Sequence, residues 1–358
     1  MKRIDIILLC STLFLTVFGL FMIYDASSVI AFRDFHGDKY HYIKEQLINA
    51  VIGLGALGFF SLFDYKKFYN FSIIILITAI AMLIGVFLPG VGIYALGAHR
   101  WINLGITVLQ PAEFIKLSLA IYLAAWFSQK ESGRLPAFGL LMGFVLLLVM
   151  AQPDMGTASI ILFEAVVLYF LSGAKIMQFM VMIPVIGVGG LIMILLAPYR
   201  MARLVSFLSV GNNIEGASYH VKQILIALGS GGLFGVGAGN SLQKFAYLPE
   251  NVTDSIFAII AEEFGFFGSV ALILLFTVVM WRGFVIASRA KDNFGRLLAV
   301  GIICFLGIQA VINLAAMTAL IPLTGVPLPF ISYGGSALII DMGAVGILLN
   351  ISRQGKNV

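Results

Sequence analysis

The feature that most constrains this sequence is a series of long apolar runs. Each run spans roughly 16 to 22 residues, the length that an α-helix needs to cross a hydrocarbon layer of ~30 Å. A membrane β-barrel would instead show short segments in which apolar and polar residues alternate. The sequence therefore predicts an all-α integral membrane protein, organised as a single domain over residues 1–358.

The composition supports the same fold class. Hydrophobic residues make up 61% of the chain, charged residues only 11%, and the mean hydropathy is +1.04. A soluble domain would carry about a quarter of charged residues. The formal net charge of +5 comes from Lys and Arg that lie mainly in short loops between the apolar runs, as membrane topology requires, so we expect no nucleic-acid partner.

We predict ten transmembrane helices. The first follows Lys2 and Arg3 as a signal peptide would, but it has no small-residue cleavage site and is expected to be retained. Lys and Arg are more frequent in the segments that share a side with both termini, which predicts that the N- and C-termini are cytoplasmic. The predicted spans cover residues 6–24, 46–63, 71–88, 111–127, 136–151, 157–171, 176–197, 255–281, 297–314 and 335–351.

Under this orientation three sizeable segments face outward, at residues 89–110, 198–254 and 315–334. The second is a large extracytoplasmic loop between helices 7 and 8. It is rich in Gly and apolar near residues 221–228, so we expect a short amphipathic helix at the membrane surface followed by a compact loop. The cytoplasmic segments are short and the sequence has no GxxxxGK[ST] motif, so no nucleotide or organic cofactor is expected.

Carboxylates occur where hydrocarbon would be expected. Asp254 precedes the eighth predicted span, and Glu262 and Glu263 lie within it. A charge at membrane depth is costly unless it faces protein or water, so these acids indicate a functional site. Asp254 could also act only as a first-turn acid that interacts with the helix dipole. By helical rotation Glu262 could share a cavity with Asp254, whereas Glu263 faces the opposite side and is expected to pair elsewhere.

Further polar residues lie near the predicted outer ends of the spans. Glu113 and Lys116, at positions i and i+3, can pair on one helix face, and this pair could be structural or functional. Arg100 suits a phosphate, and the adjacent Trp101 suits the membrane interface. Asp154 lies in a tight turn whose Pro and Gly residues explain the turn without a function.

The third outward segment contains a proline-rich run, residues 322–329, followed by Ser332. Such a run breaks a helix at membrane depth, which is tolerated where the backbone lines a cavity. Gln309, Asn313 and Asp341 add polar groups to the last two spans, either as bonds between helices or as ligand contacts.

Six motifs in this sequence resemble the SEDS family (shape, elongation, division and sporulation), the RodA-, FtsW- and SpoVE-like peptidoglycan polymerases. They are GAHRWINLG at 97–105, QPAEFIKL at 110–117, QPDMGTA at 152–158, GSGGLFGVGAGNS at 229–241, YLPENVTDSIFAIIAEEFG at 247–265 and PLPFISYGGSA at 327–337. Together they extend over most of the chain, in the family's order.

The resemblance implies a fold of ten membrane helices and a glycosyltransferase that polymerises lipid II at the outer face of the cytoplasmic membrane. It implies a class B penicillin-binding protein (a transpeptidase) as partner, within an elongation or division complex. The family's essential carboxylate falls on Asp254, while Ser255 departs from the Phe that usually follows. Residues 324–329 read like the rod-shape type and residues 239–244 look division-like, so both roles stay open.

For such a reaction, Asp254 is expected to accept the proton of the acceptor hydroxyl or to hold a divalent cation, Mg²⁺ or Mn²⁺. Arg100, Lys116 and Arg203 are candidates to stabilise the pyrophosphate charge. The complete set of predicted substrate-binding residues is Arg100, Trp101, Glu113, Lys116, Asp154, Arg203, Lys244, Glu262 and Ser332.

Two other classes of function compete with this prediction. A transporter of lipid II or another lipid-linked sugar would also carry intramembrane acids and broken helices. The absence of a two-half internal repeat, and polar motifs concentrated on one side, favour catalysis instead. A purely structural scaffold would bind partners and would show no chemical effect of replacing Asp254.

Overall fold

The computed structural model describes residues 4–95, 98–103, 105, 108–129, 133–212, 218–245 and 247–355. Gly97 and Leu104, two members of the 97–105 motif, lie outside these residues. The described helices are α1 (Ile6–Asp34), α2 (His41–Leu62), α3 (Lys66–Gly85), α4 (Pro111–Phe127), α5 (Leu135–Ala151), α6 (Met155–Leu171), α7 (Ile176–Leu195), α8 (Pro198–Asn212), α9 (Tyr219–Gly231), α10 (Ile256–Ser288), α11 (Asn293–Met317) and α12 (Gly335–Gln354).

Seven of the described helices are long and apolar enough to cross a membrane, namely α1, α2, α3, α7, α10, α11 and α12. Three further predicted spans coincide with α4, α5 and α6, which have 17 residues each. At ~1.5 Å per residue such helices are slightly shorter than a ~30 Å hydrocarbon layer. The count of ten spans and the cytoplasmic placement of both termini therefore stay predictions.

The all-α prediction was wrong in one segment. Between α3 and α4, strands β1 (Gly92–Ala95), β2 (Ala98–Asn103) and β3 (Val108–Leu109) form an antiparallel sheet in the order β1-β2-β3. The backbone here has left the helical bundle, so its polar groups must find partners locally, and a hairpin supplies them. The Ser336 hydroxyl ties the sheet to α12, since it donates to the Val108 carbonyl and accepts the Gln110 N–H.

The core of the bundle surrounds α11 and α12. Helix α11 packs against α4, α6 and α10, and α12 packs along α2. Helix α7 is the opposite extreme, because Phe179 is its one buried residue and most of its other large side chains are apolar and exposed. A helix that is apolar all round is suited to surroundings of lipid.

The long segment between α7 and α10 contains two helices. Helix α9 covers the predicted amphipathic stretch near residues 221–228, and the Ser218 hydroxyl caps it by accepting the Val221 N–H. Helix α8 was not predicted. Both helices have an apolar and a polar face, and their position at the membrane surface stays a prediction.

Helix α10 is interrupted at Gly265, whose φ of 65° and ψ of −162° are not helical. The loop of residues 232–237 packs against this break. Its N–H groups donate to the carbonyls of Glu262 and Glu263, and its carbonyls accept N–H groups from the first residues after the break. The loop thus satisfies backbone groups that a continuous helix would have satisfied itself.

We predict that Gly265→Ala destabilises the protein, whereas Gly187→Ala does not. A Cβ at Gly265 would lie 2.3 Å from the Gly235 nitrogen, on a backbone with positive φ, while a Cβ at Gly187 meets nothing within 4 Å. Strained backbone of this kind costs about 1–3 kcal/mol. The midpoint of thermal unfolding in detergent checks the prediction, and equal midpoints for the two variants would contradict it.

Candidate active site at the start of helix α10

Asp254 lies in the turn that precedes α10, in the segment predicted to face outward. Its residue is 8% exposed. Its carboxylate receives hydrogen bonds from the Thr253 hydroxyl at 3.2 Å and from its own backbone N–H. A carboxylate has about four acceptor positions, so others stay available to a ligand.

The surroundings of Asp254 favour its protonated form. Burial, and after it the negative charge of Glu250, raise the pKa of the Asp254 carboxyl to about 6, against the opposing effect of Arg203. The Thr253 hydroxyl also bonds to the Glu250 carboxylate at 2.9 Å, so both carboxylates adjoin one hydroxyl. A carboxyl with this pKa is ionised at neutral pH and is a stronger base than an ordinary Asp.

Glu250 was missed as a candidate in the sequence. Its φ of 51° is left-handed, which is uncommon for a residue with a Cβ. Its carbonyl accepts the N–H groups of Thr253 and Ser255, which closes the turn that carries Asp254. Strained residues of this kind concentrate at functional sites, and its spacing of four residues before Asp254 was the available signal.

The backbone of this turn is fixed by groups from distant parts of the chain. The consecutive carbonyls of residues 252–254 accept, in order, from the Tyr333 N–H at 2.9 Å, the Ser332 hydroxyl at 2.5 Å and the Asn313 side-chain amide at 2.7 Å. The Ser332 hydroxyl also accepts the Leu328 N–H at 2.8 Å. Ser332 therefore fixes the backbone next to Asp254. A substrate contact by Ser332 stays a prediction.

Glu113 and Lys116 form the predicted ion pair, with the Lys116 Nζ 2.7 Å from the Glu113 Oε2. Lys116 is fully buried and also donates to the Gln309 Oε1 at 2.5 Å. The Gln309 amide in turn donates to the Pro327 carbonyl at 3.1 Å. The pair thus supports the segment that holds Asp254, and direct contact of either residue with substrate stays a prediction.

Arg100 is engaged with the backbone of a neighbouring turn. Its Nε donates to the Gln152 carbonyl at 2.9 Å and its Nη2 to the Pro153 carbonyl at 2.8 Å. The half-buried Trp101 is the next residue of β2. Asp154 caps α6, since its carboxylate accepts the Thr157 N–H at 3.0 Å. The structure therefore connects Arg100 to the turn of residues 152–154. Substrate binding by Arg100, Trp101 and Asp154 stays a prediction.

Glu262 and Lys244 fasten the loop that precedes the turn. The Glu262 carboxylate accepts the Ser241 hydroxyl and backbone N–H groups of the next two residues. The Lys244 ammonium lies 2.9 Å from Asp25 on α1 and 3.3 Å from Glu263. The prediction that Glu263 pairs away from Asp254 is therefore confirmed, and substrate contacts by Glu262 and Lys244 stay predictions.

His220 on α9 adjoins the site and was also missed. Its Nε2 lies 2.7 Å from the Ser255 hydroxyl, directly beside Asp254. Burial, and then the charge of Arg203, lower the pKa of His220 to about 4, so the ring is neutral at pH 7. The signal was its position four residues before the buried Ile224, on the inner face of α9.

Arg203 on α8 is the cation whose field reaches both His220 and Asp254. Its Nη1 donates to the Leu323 carbonyl at 3.0 Å. Within the described part of the chain, its Nε and Nη2 have no hydrogen-bond partner. Arg203 is exposed, so these donors are accessible to an anion.

The site contains two carboxylates that are candidate ligands for a divalent cation. The described residues contain no group of three or more His, Cys, Asp or Glu side chains suited to a metal. Asp254 and Glu250 both lie within hydrogen-bond distance of the Thr253 hydroxyl, so the two carboxylates are neighbours. Mg²⁺ commonly binds through one or two carboxylates, water and substrate phosphates, so the pair fits such an ion.

Fold and site together define a polytopic helical membrane protein with a buried carboxylate at the start of a broken helix. The chain belongs to the FtsW/RodA/SpoVE family of cell cycle proteins, whose model matches residues 6–357. With its apolar helices, this membership makes it a multi-pass protein of the cytoplasmic membrane.

Relatives of the family align over nearly the whole chain. Stage V sporulation protein E of Bacillus subtilis (strain 168) is 42% identical, with 98% of each chain covered. A probable peptidoglycan glycosyltransferase FtsW of Geobacter sp. (strain M18) is 38% identical, with 99% of each covered.

Solved structures share the fold. The crystal structure of the rod shape determining protein RodA of Thermus thermophilus has a TM-score of 0.73 at 25% identity, with 99% of each chain covered. A chain of a peptidoglycan synthase complex has a TM-score of 0.81 at 24% identity, with 98% of each covered.

We predict that Asp254→Asn stabilises the folded protein above pH 6. The folded-state pKa of about 6 lies above the pKa of 3.8 of an unfolded Asp, so the native state binds more protons between these values. Native stability therefore falls as the pH rises through this window, and Asn removes a loss on the order of 2 to 3 kcal/mol.

Thermal unfolding midpoints at pH 4 and pH 8 check this prediction, since the gain from Asn should appear at pH 8 and be small at pH 4. Asp38→Asn is the control, because Lys44 bonds to Asp38 at 2.8 Å and lowers the pKa of that carboxyl. A less stable Asp254→Asn protein at pH 8 would contradict the prediction.

Proposed function

We propose that this chain is a peptidoglycan glycosyltransferase that polymerises lipid II at the outer face of the cytoplasmic membrane, with Asp254 as its base. The observation that carries the proposal is the buried Asp254 carboxylate, which has acceptor positions available to a ligand, is basic for an Asp and is held by a fixed backbone. Several curated relatives that align over almost their full length are named as probable peptidoglycan glycosyltransferases.

The reaction needs one group that accepts a proton. The acceptor sugar's hydroxyl attacks the anomeric carbon of a second lipid-linked sugar, so a C–O bond forms as the bond to the pyrophosphate breaks. The hydroxyl proton passes to the Asp254 carboxylate, and inversion at the carbon needs no covalent intermediate. The three hydrogen-bonded carbonyls of residues 252–254 keep the base in one position while both sugars bind.

The departing pyrophosphate needs positive charge nearby. Arg100 donates to two backbone carbonyls and Lys116 is buried in its pair with Glu113, so Arg203 is the better placed of the three predicted cations. Its accessible donors suit a phosphate, and such preorganised charge is commonly the largest catalytic contribution.

The alternative role that we propose for Asp254 is to hold a divalent cation, Mg²⁺ or Mn²⁺, instead of accepting the proton. Asp254 and Glu250 would hold it, and it would supply charge stabilisation to the pyrophosphate. The Thr253 hydroxyl lies within donating distance of both carboxylates, at 2.9 Å from Glu250 and 3.2 Å from Asp254.

As partner we propose a class B penicillin-binding protein that crosslinks the glycan, together with other elongation or division proteins. Support comes from the peptidoglycan synthase complex that contains a chain of the same fold, described as coordinating polymerization and crosslinking. The role in elongation, division or sporulation follows from which partner the cell supplies.

A second candidate function is the transport of a lipid-linked sugar. It is favoured by Glu164 and Asp341, which are buried without hydrogen-bond partners among the described residues, near the Lys116 pair. Such groups occur in proton-coupled carriers. Movement of labelled lipid II across vesicles by the pure protein, without polymer formation, would favour transport over polymerisation.

We expect Asp254→Asn to lower the polymerisation rate by about 10²- to 10⁴-fold, because the amide cannot accept the proton. The assay is glycan ladder formation from lipid II with Mg²⁺ or Mn²⁺, with and without a class B partner. Asp38→Asn is the matched control, since Asp38 lies between α1 and α2 and bonds to Lys44. Full activity of Asp254→Asn would end the proposal.

We also expect the rate to fall below a pH of about 6, as Asp254 becomes protonated. Glu250→Gln removes a like charge and so lowers the pKa of the Asp254 carboxyl, which should move this fall to lower pH. The measurement is the maximal rate against pH for the native protein and Glu250→Gln. An unchanged profile would show that Glu250 does not act on the base.

A further inference from the structure

An apolar groove lies beside the candidate site, between α8, α9 and the segment that follows α11. It encloses about 170 Å³. Phe207 lines it from α8, Val221 and Ile224 line it from α9, and Pro322 and Leu323 close the remaining side. Its lining is therefore apolar on all three sides, which suits a hydrocarbon chain.

The groove has one charged lining residue, Arg203. The guanidinium bridges two of its sides, because it projects from α8 and its Nη1 donates to the Leu323 carbonyl at 3.0 Å. The hydroxyls of Ser206 and Ser218 lie in the same lining. An apolar groove with one cation and two hydroxyls is complementary to a lipid that carries an anionic phosphate group.

The groove is joined to Asp254 through α9. Val221 lines the groove, and the preceding residue, His220, lies 2.7 Å from the hydroxyl of Ser255, which directly follows Asp254. Arg203 is also close enough to act electrostatically on both His220 and Asp254. A phosphate at Arg203 would thus lie between the apolar groove and the carboxylate.

We propose that this groove holds the first part of the isoprenoid chain of the lipid-linked pyrophosphate, next to the phosphate, with the pyrophosphate at Arg203 and the sugar extending toward Asp254. The inference rests on the proposed function for the identity of the lipid. The order of groups along the groove, apolar lining, guanidinium and then carboxylate, matches the order of chain, pyrophosphate and sugar in such a substrate. A phospholipid carries two acyl chains, and a groove of about 170 Å³ has no room for a second chain, so the groove favours a single isoprenoid chain.

The test uses the full-length protein in detergent and a photoreactive farnesyl pyrophosphate as probe. Labelled peptides are identified by mass spectrometry, and we expect them from α8, α9 and residues 316–323. Unlabelled farnesyl pyrophosphate should compete at least tenfold better than farnesol or dioleoylphosphatidylglycerol. Labelling confined to other helices, or equal competition by the phospholipid, would overturn the proposal.

Matched variants on α8 locate the chain. Ala202 lines the groove and is exposed, so Ala202→Trp should fill the groove and lower labelling about tenfold or more. Val205 on the same helix is 53% exposed and is not part of the lining, so Val205→Trp should label like the native protein. Equal labelling of the two Trp variants would contradict the proposal, and the peptide map of the native protein decides independently of either variant's folding.

The contribution of Arg203 is measured with Arg203→Gln and Arg203→Lys. Loss of the charge should weaken the competition by farnesyl pyrophosphate by about tenfold, while Lys should recover part of it because charge remains without the guanidinium fork. The competition by farnesol, which has no phosphate, should be the same in both variants. A pyrophosphate preference that survives Arg203→Gln would remove Arg203 from the site.

The experiments distinguish a failure of the groove proposal from a failure of the proposed function. Asp254→Asn should retain labelling in the groove, because the carboxylate contacts the sugar and not the chain. Groove labelling without polymer formation under any condition would refute the glycosyltransferase and leave a prenyl-pyrophosphate site. Polymer formation by native protein and Ala202→Trp alike, with no labelling in the groove, would refute the groove alone.

Discussion

Three consecutive backbone carbonyls must find donors just before helix α10 begins, and the rest of the site depends on how they do so. The carbonyls of residues 252–254 cannot bond within α10, which starts only at Ile256. Their donors lie some 60 to 80 residues further along the chain, at Asn313, Ser332 and Tyr333. Asp254 is therefore in position only when the segment after α11 has packed against it. The Lys116–Gln309 bond extends that dependence to α4.

Much of the fold and the central residue of the site could be predicted, because the responsible properties are local in sequence. A long apolar run is a helix in lipid whatever its neighbours are, and ten such runs fall on described helices. A carboxylate at the end of such a run is costly wherever it lies, so Asp254 is conspicuous without any knowledge of its contacts. The sheet of β1 to β3 could not be predicted, because its strands are short and their pairing depends on where α3 ends.

Contacts between distant segments could not be predicted in the same way. Arg100 and Ser332 were chosen because they are polar and outward, yet both donate to backbone carbonyls whose need for a donor no sequence pattern reveals. The position of Lys244 relative to Asp254 could not be predicted, because its partner Asp25 lies 219 positions away on α1. His220 and Glu250 were overlooked because each contacts a neighbour of Asp254 only in the folded loop.

The break at Gly265 has a consequence for how the protein assembles in the membrane. Below the break, α10 is an ordinary apolar helix whose hydrogen bonds are internal, so that part can insert as soon as it is synthesised. Above the break, the carbonyls of Glu262 and Glu263 depend on the loop 232–237, which precedes them in the chain and must return to them. The part of α10 before Gly265 thus depends on a contact with an earlier segment of the chain, whereas the part after Gly265 forms its hydrogen bonds within itself.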